Sequence, residues 1–276
     1  MARSPKKKSS SRGSTEAATL STLDPLRTGM PAMDSILSVK PLETSEAAAV
    51  AESLNVTGYR IIRTNEVDGY EKAATSIETL NAAIATAEAA PVGDNFKGTA
   101  RKAAKLSLSA ATVKVFNDLR TLINSLPSHE DMKALKIKTT ATSNRVAEEK
   151  RNVRVKVFLY AASREDDNDY HLILGRDPSK SPEVYMTMEL SGLPPASSAA
   201  FTKLKAARDA YKAFFGGDLP GLGYDFYDPP IPVRIEGSLF WDASHSSGQR
   251  PGPKSLKSRM PVVWEVHPIS KIKFNP

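Results

Sequence analysis

The chain of 276 residues contains no cysteine. This absence excludes disulfide bonds, thiolate zinc sites, iron–sulfur clusters and cysteine nucleophiles. Any metal site must therefore be built from histidine and carboxylate side chains. Histidine is also scarce, with four residues in the whole chain, so each one can be considered individually.

Long hydrophobic runs are missing as well. The longest apolar stretches, residues 82–90 and 155–162, are interrupted by Thr, Glu or Lys and fall short of the ~20 residues that cross a bilayer. The basic N-terminus is followed by Ser and Thr instead of the apolar segment of a signal peptide. We therefore expect a cytoplasmic protein with no membrane partner.

Several familiar catalytic motifs are absent. The glycine-rich loop at residues 216–223 lacks the Gly-Lys-Ser/Thr ending of a phosphate-binding P-loop. The chain has neither a Gly-x-Ser-x-Gly elbow nor a His-Glu-x-x-His motif, which excludes two common hydrolase classes. The sequence leaves open whether the protein is an enzyme.

Positive charge is concentrated at the N-terminus. Of the net charge of +7, Arg3, Lys6, Lys7, Lys8 and Arg12 supply +5 without a compensating acid, which leaves +2 for the rest of the chain. Residues 1–44 are rich in Ser, Thr and Pro, and we expect them to form a disordered basic tail. Such an arm can neutralise nucleic-acid phosphates, although a solvated terminus without a partner fits the same pattern.

The segment 45–127 has helical periodicity. Apolar residues recur at three- and four-residue intervals in two runs, from Tyr70 to Ala87 and from Leu106 to Leu126, with a Pro- and Gly-containing loop between them. This spacing predicts a helical hairpin, followed by a polar linker at 128–150. Such a hairpin packs against its own chain or against a second copy, so a homo-oligomer is one possible assembly.

In residues 151–276 the apolar period changes to two. Val153, Val155, Val157 and Leu159 alternate with polar or aromatic residues, and similar strands are expected near 170–174, 184–190, 233–236, 238–242 and 262–274. One helix, with Phe201 to Phe215 as its apolar limits, interrupts the series. We predict an α+β protein: an N-terminal helical hairpin, then a small OB-like antiparallel β-barrel with one inserted helix.

Three of the four histidines fall in this barrel segment, and each follows a carboxylate by two or three residues. On a strand, residues i and i+2 share a face, so acid and imidazole can lie side by side. Such pairs can bind a divalent cation, or they can be cross-strand hydrogen bonds that fix the register. The candidate metal ligands are Asp169, His171, Asp242, His245, Glu265 and His267.

Aromatic and basic side chains alternate along the first predicted strand. Arg154 and Lys156 are candidates for holding phosphates, and Phe158 and Tyr160 for stacking on bases. Together with Arg3, Lys6, Lys7 and Lys8 of the tail, they form the candidate nucleic-acid site. The aromatic residues are equally compatible with a place in the core.

Three motifs in residues 152–274 resemble a group of uncharacterised bacterial proteins. These are Asp-Asn-Asp-Tyr-His at 167–171, Gly-x-x-Phe-x-Asp-x-x-His at 237–245 and Trp-Glu-Val-His-Pro at 264–268. The resemblance implies a shared small β-barrel module and a bacterial setting. It implies no activity, substrate or cofactor.

These observations favour a non-enzymatic OB-like module that binds nucleic acid, preferentially single-stranded DNA or RNA. The first alternative is a metal-dependent, phosphodiesterase-like hydrolase that uses the acid–histidine pairs. The second is a structural or assembly protein that oligomerises through the helical hairpin. No cofactor is expected apart from the candidate divalent metal.

Overall fold

The computed structural model describes residues 52–54, 58–67, 95–247 and 250–276. They belong to one unit that spans Leu42–Pro276. The predicted helix at 70–87 and the basic tail residues Arg3, Lys6, Lys7 and Lys8 lie outside the described residues. Within the described ranges, no helix combines the length and the apolar character needed to cross a bilayer.

Strands dominate the described part of the chain. They are β1 (Glu52–Leu54), β2 (Arg60–Arg63), β3 (Val113–Phe116), β4 (Asn152–Arg164), β5 (Tyr170–Gly175), β6 (Tyr185–Leu190), β7 (Asp225–Trp241) and β8 (Trp264–Phe274). The α-helices are α1 (Lys102–Lys105), α2 (Leu119–Ile123), α3 (His129–Ala134), α4 (Phe201–Phe215) and α5 (Lys254–Lys257), and short 3-10 turns lie at Ala147–Glu149 and Ala243–Ser247.

The predicted two-residue repeat is confirmed in β4. Val153, Val155, Val157 and Leu159 are all buried in the main hydrophobic core, whereas Lys156 between them is exposed. Burial of one face in an apolar core fixes which side chains of a strand point inward, because a shift of one residue would reverse the faces. The sequence pattern therefore determines the orientation of this strand.

The strand pairings close on themselves. Neighbours follow the order β1-β2-β7-β8-β6-β5-β4-β3, and β7 also pairs with β4. The strands β4, β5, β6, β8 and β7 consequently form a ring, and β1, β2 and β3 extend the sheet beyond it. The pairs β3–β4 and β6–β8 are parallel, and the others are antiparallel.

Helix α4 lies between β6 and β7 in the chain, where the sequence predicts one helix. Leu204, Ala207, Tyr211 and Phe215 are buried on one of its faces, with the three- and four-residue spacing of an amphipathic helix. The helix ends at Gly216, whose φ of 60° lies in the region that glycine tolerates best.

The predicted helical hairpin is wrong. Its second helix, expected at 106–126, is replaced by β3 and the short helix α2. Phe116, Leu119 and Leu122 still enter the main core, so the apolar spacing identified buried residues but not their local structure. Here β3 pairs in parallel with β4, and the amide of Ser109 donates a hydrogen bond to Ser238 Oγ at 2.9 Å. These long-range bonds replace the hydrogen bonds of a local helix.

The predicted fold class is therefore wrong as a whole. The observed sheet has eight strands and is mixed, not antiparallel, and α4 is the only described helix of seven residues or more. Parallel pairing joins segments that are distant in the chain, so the alternation within each strand does not reveal it.

Candidate metal centre

Six ionisable side chains meet on the side of β5, β6 and β8 that faces away from the main core. Five of them are at most 4% exposed, and Glu165 is 22% exposed. We call this group the acid–imidazole centre; it consists of Glu165, Asp169, His171, Glu189, Glu265 and His267.

Strand register brings these residues together. In the antiparallel pair β5–β6, His171 lies directly opposite Glu189. In the parallel pair β6–β8, Met188 is the partner of Val266, so the next residues along these strands, Glu189 and His267, are neighbours on the opposite face. Glu189 therefore stands between the two histidines.

The first part of the centre surrounds His171. Its Nδ1 atom is hydrogen-bonded to Glu165 Oε1 at 2.6 Å and lies 3.7 Å from Glu189 Oε1. These three residues offer ligand atoms that all lie within 4.8 Å of one another. They form the first of two adjacent triads.

The second triad consists of Asp169, Glu189 and His267. His267 Nε2 lies 3.3 Å from Asp169 Oδ2, and His267 Nδ1 lies 2.8 Å from Glu189 Oε2. Despite these short distances, Asp169 Oδ2, Glu189 Oε2 and His267 Nε2 have no hydrogen-bond partner. Glu265 approaches His267 Nδ1 at 3.4 Å through Oε2, and its buried Oε1 also has no partner. Buried polar atoms without partners are costly in a protein interior.

Four further charged or titratable residues line the edge of the centre. Their side chains are 11–15% exposed, so the centre is not sealed from solvent. Lys105 Nζ lies 3.9 Å from Asp167 Oδ2, and His245 Nε2 lies 3.8 Å from Asp242 Oδ2. We call Lys105, Asp167, Asp242 and His245 the rim.

The pKa values of the buried acids shift in opposite directions, depending on which groups each acid contacts. It raises the pKa of Glu189 and Glu265 well above the ordinary value, and neighbouring carboxylates add to this effect. Burial also acts to raise the pKa of Asp169, but contact with His267 outweighs it and lowers that pKa. The pKa of Lys105 is raised, because the surrounding acids outweigh its burial. The centre thus brings together more carboxyl groups than cations, and the raised pKa values of Glu189 and Glu265 reflect this crowding.

Arg145 anchors the backbone around the centre. Its guanidinium donates to the carbonyl oxygens of Ala104 at 2.7 Å, Leu239 at 2.5 Å and His267 at 2.6 Å. Burial lowers the pKa of this arginine to about 10. These bonds join the segment that carries Lys105 to the ends of β7 and β8.

All six predicted metal ligands lie in the centre or on its rim. Glu265 and His267 are hydrogen-bonded, as their spacing suggests. Asp169 and His171 do not pair with each other: Asp169 Oδ2 lies 3.3 Å from His267 Nε2, and His171 is hydrogen-bonded to Glu165.

Sequence reasoning missed Glu165, Glu189, Lys105 and Asp167. For Glu189 a signal exists, because it is an acid within an otherwise largely apolar strand. Glu165 and Asp167 belong to the turn between β4 and β5, and Lys105 ends α1. No periodic pattern places these three residues at the centre.

The predicted nucleic-acid residues lie elsewhere, on the outer face of β4. Arg154 pairs with Glu236 at 2.7 Å, and Lys156 is exposed. Phe158 is half-buried. The hydroxyl of Tyr160 donates to the carbonyl of Arg176 at 3.0 Å, so this ring is already engaged within the protein.

Comparison of the chain with known proteins found no matching family model, no matching curated protein and no matching solved structure. The resemblance to the uncharacterised bacterial group accordingly stays a prediction.

Proposed function

We propose that the protein is a metal-dependent hydrolase that binds divalent cations in the acid–imidazole centre. The observation that carries this proposal is the convergence of unpartnered oxygen and nitrogen atoms from Asp169, Glu189, Glu265 and His267 in a buried, negatively charged site. A cation satisfies these atoms and removes the cost of burying like charges together.

The ligand types favour a first-row divalent metal such as zinc or manganese. Imidazole nitrogen and carboxylate oxygen are ordinary ligands of both ions. A bound divalent cation lowers the pKa of a coordinated water and polarises an ester oxygen. Both effects promote hydrolysis at neutral pH.

A phosphoester is the substrate class that fits the rim best. Lys105 supplies a positive charge beside the centre and is 12% exposed, so it can pair with a phosphate oxygen. In the proposed reaction the oxygen of water attacks phosphorus and the bond to the leaving alcohol oxygen breaks. The water proton passes to a carboxylate of the centre and from there to the leaving oxygen.

The test combines metal content with hydrolysis of bis(p-nitrophenyl) phosphate, using the full chain without a histidine tag. We expect Mn²⁺-dependent turnover that His267→Ala reduces by at least 100-fold. His129→Ala is the matched control, because it removes the one histidine outside the centre and rim. A wild-type chain that binds no divalent ion, or equal turnover in both variants, contradicts the proposal.

A basic cleft supports nucleic-acid binding as a second candidate function. The cleft has a volume of about 200 Å³ and is lined by Arg154, Arg234, Glu236, Lys271 and Lys273. Four cations against one acid create a local field that attracts phosphates. The exposed Lys156 lies on the same outward face of β4.

Affinity for a single-stranded oligonucleotide tests this second candidate. We expect the Kd to rise at least tenfold between 50 and 200 mM salt, because phosphate contacts release counterions. The double variant Lys271→Gln with Lys273→Gln should weaken binding, whereas Lys205→Gln, an exposed lysine on α4, should not. Weak binding that is unaffected by salt rules the cleft out.

A further inference from the structure

We infer that the acid–imidazole centre holds two divalent cations, bridged by the carboxylate of Glu189. This inference rests on the proposed function of the centre as a cation site. It adds the number of ions, the residue that joins them and the substrate class that such a pair serves.

The first argument is the direction of the two Glu189 oxygens. Oε1 lies on the side of His171, at 3.7 Å from its Nδ1, and Oε2 lies on the side of His267, at 2.8 Å from its Nδ1. A carboxylate whose two oxygens face different imidazoles has the arrangement of a bridging ligand.

The second argument is the size of the site. Zinc ligands lie about 2.0–2.2 Å from the ion, so two oxygen or nitrogen ligands of one ion are at most about 4.4 Å apart. The described residues provide two groups of three ligand atoms and no single group of five, and Glu189 is the residue that both groups share. One ion cannot occupy both triads, whereas two ions occupy one triad each.

The third argument is charge. The centre and rim contain six carboxylates, from Glu165, Asp167, Asp169, Glu189, Asp242 and Glu265, and Lys105 interacts electrostatically with several of them. In the deprotonated state that metal coordination requires, with six carboxylates, neutral histidines and one ammonium group, the formal charge is −5. One divalent ion leaves −3 and two leave −1. Because uncompensated buried charge is strongly unfavourable, the second ion removes most of what the first leaves.

A pair of ions also suits the proposed reaction. Two-metal sites have ions about 3.5–4 Å apart and stabilise both the attacking and the leaving oxygen when a phosphoryl group is displaced in line. The structure therefore assigns phosphoesters to the centre in preference to carboxylic esters, because a single ion suffices for the hydrolysis of a carboxylic ester.

The decisive experiment counts Mn²⁺ ions bound to the full, untagged chain by native mass spectrometry and records the electron paramagnetic resonance spectrum at saturation. We expect two ions per chain with an exchange-coupled spectrum. His171→Ala and His267→Ala should each retain one ion with the six-line spectrum of isolated Mn²⁺. His129→Ala should retain two coupled ions, and circular dichroism confirms that each variant is folded.

Each outcome for the wild-type chain separates the two proposals, even where a variant fails to fold. A single bound ion overturns the paired centre and leaves the proposed hydrolase intact. Two ions without exchange coupling overturn the bridging role of Glu189. No bound ion at all overturns both proposals.

Discussion

Replacement of Glu149 by glutamine is expected to lower the free energy of unfolding by about 3–5 kcal/mol. Glu149 and Arg101 form a two-point ion pair with N–O distances of 2.6 Å, and both side chains are at most 1% exposed. Glu149 also accepts hydrogen bonds from the amides of Val146 and Trp241 at 2.9 Å. Glutamine preserves the shape but leaves the Arg101 charge buried without a counter-ion.

The assay is urea unfolding followed by circular dichroism, with a thermal melt in parallel. For a unit of this size about 1 kcal/mol corresponds to roughly 2–4 °C, so the Tm should fall by roughly 10 °C. Asp209→Asn is the matched control: the Lys205–Asp209 pair has the same 2.6 Å distance, but its side chains are 50% and 55% exposed. An exposed pair of this kind contributes about 0.3–0.5 kcal/mol.

A double variant distinguishes loss of charge balance from loss of packing. Adding Arg101→Met to Glu149→Gln removes the unpaired charge and should recover part of the lost stability. The reasoning is refuted if Glu149→Gln costs no more than Asp209→Asn. It is also refuted if the double variant is less stable than Glu149→Gln alone.

Two further stability predictions follow from single positions. Burial raises the pKa of Asp225 from 3.8 to about 7, even though Arg63 Nε lies 3.4 Å from its carboxylate. The protonated carboxyl therefore stabilises the folded chain. This contribution of about 4 kcal/mol is complete below about pH 4 and is lost as the pH rises through 7. Urea unfolding at pH 4.5 and pH 8 should show a smaller loss of stability with rising pH for Asp225→Asn than for the wild-type chain. An equal loss in the two chains contradicts this prediction. Gly237→Ala should cost about 1–3 kcal/mol, because a Cβ there would lie 2.4 Å from the carbonyl oxygen of Pro268. Gly217→Ala meets nothing within 4 Å and should leave the Tm unchanged; equal melting points for the two alanine variants exclude the steric argument.

The elements that the sequence predicts correctly are those with a one-sided apolar pattern. Strand β4 and helix α4 each bury one face in the main core, so the period of their apolar residues reports the local structure directly. The segment 106–126 also has a helical period, yet Phe116 and Leu119 reach the core from β3 and α2. The conformation of this segment depends on the pairing of β3 with β4, and the local spacing of apolar residues does not reveal that pairing.

The centre shows the same division between local and long-range information. The two-residue period correctly places an acid and a histidine on one face of β8, where Glu265 and His267 are hydrogen-bonded. It cannot identify Glu189 as the residue between His171 and His267, because that position is set by the register of β6 with both β5 and β8. The composition of a buried polar site is therefore a property of the sheet more than of any one strand.

The position of the centre explains how the fold tolerates so much buried charge. Alternate residues of β5, β6 and β8, such as Leu172, Met188 and Val266, fill the apolar interior, and the charged residues lie on the opposite face of the same strands. The segment 95–107 covers that face: the amide of Lys97 donates to the backbone carbonyl of Asp167 at 2.9 Å, and Ser191 Oγ donates to the carbonyl of Lys105 at 3.2 Å. The charged groups thus meet between the sheet and its cover, outside the main core, and do not disrupt the packing of that core. Lys105 of the cover lies among these acids, so the attraction between its ammonium group and the carboxylates holds the cover on the sheet.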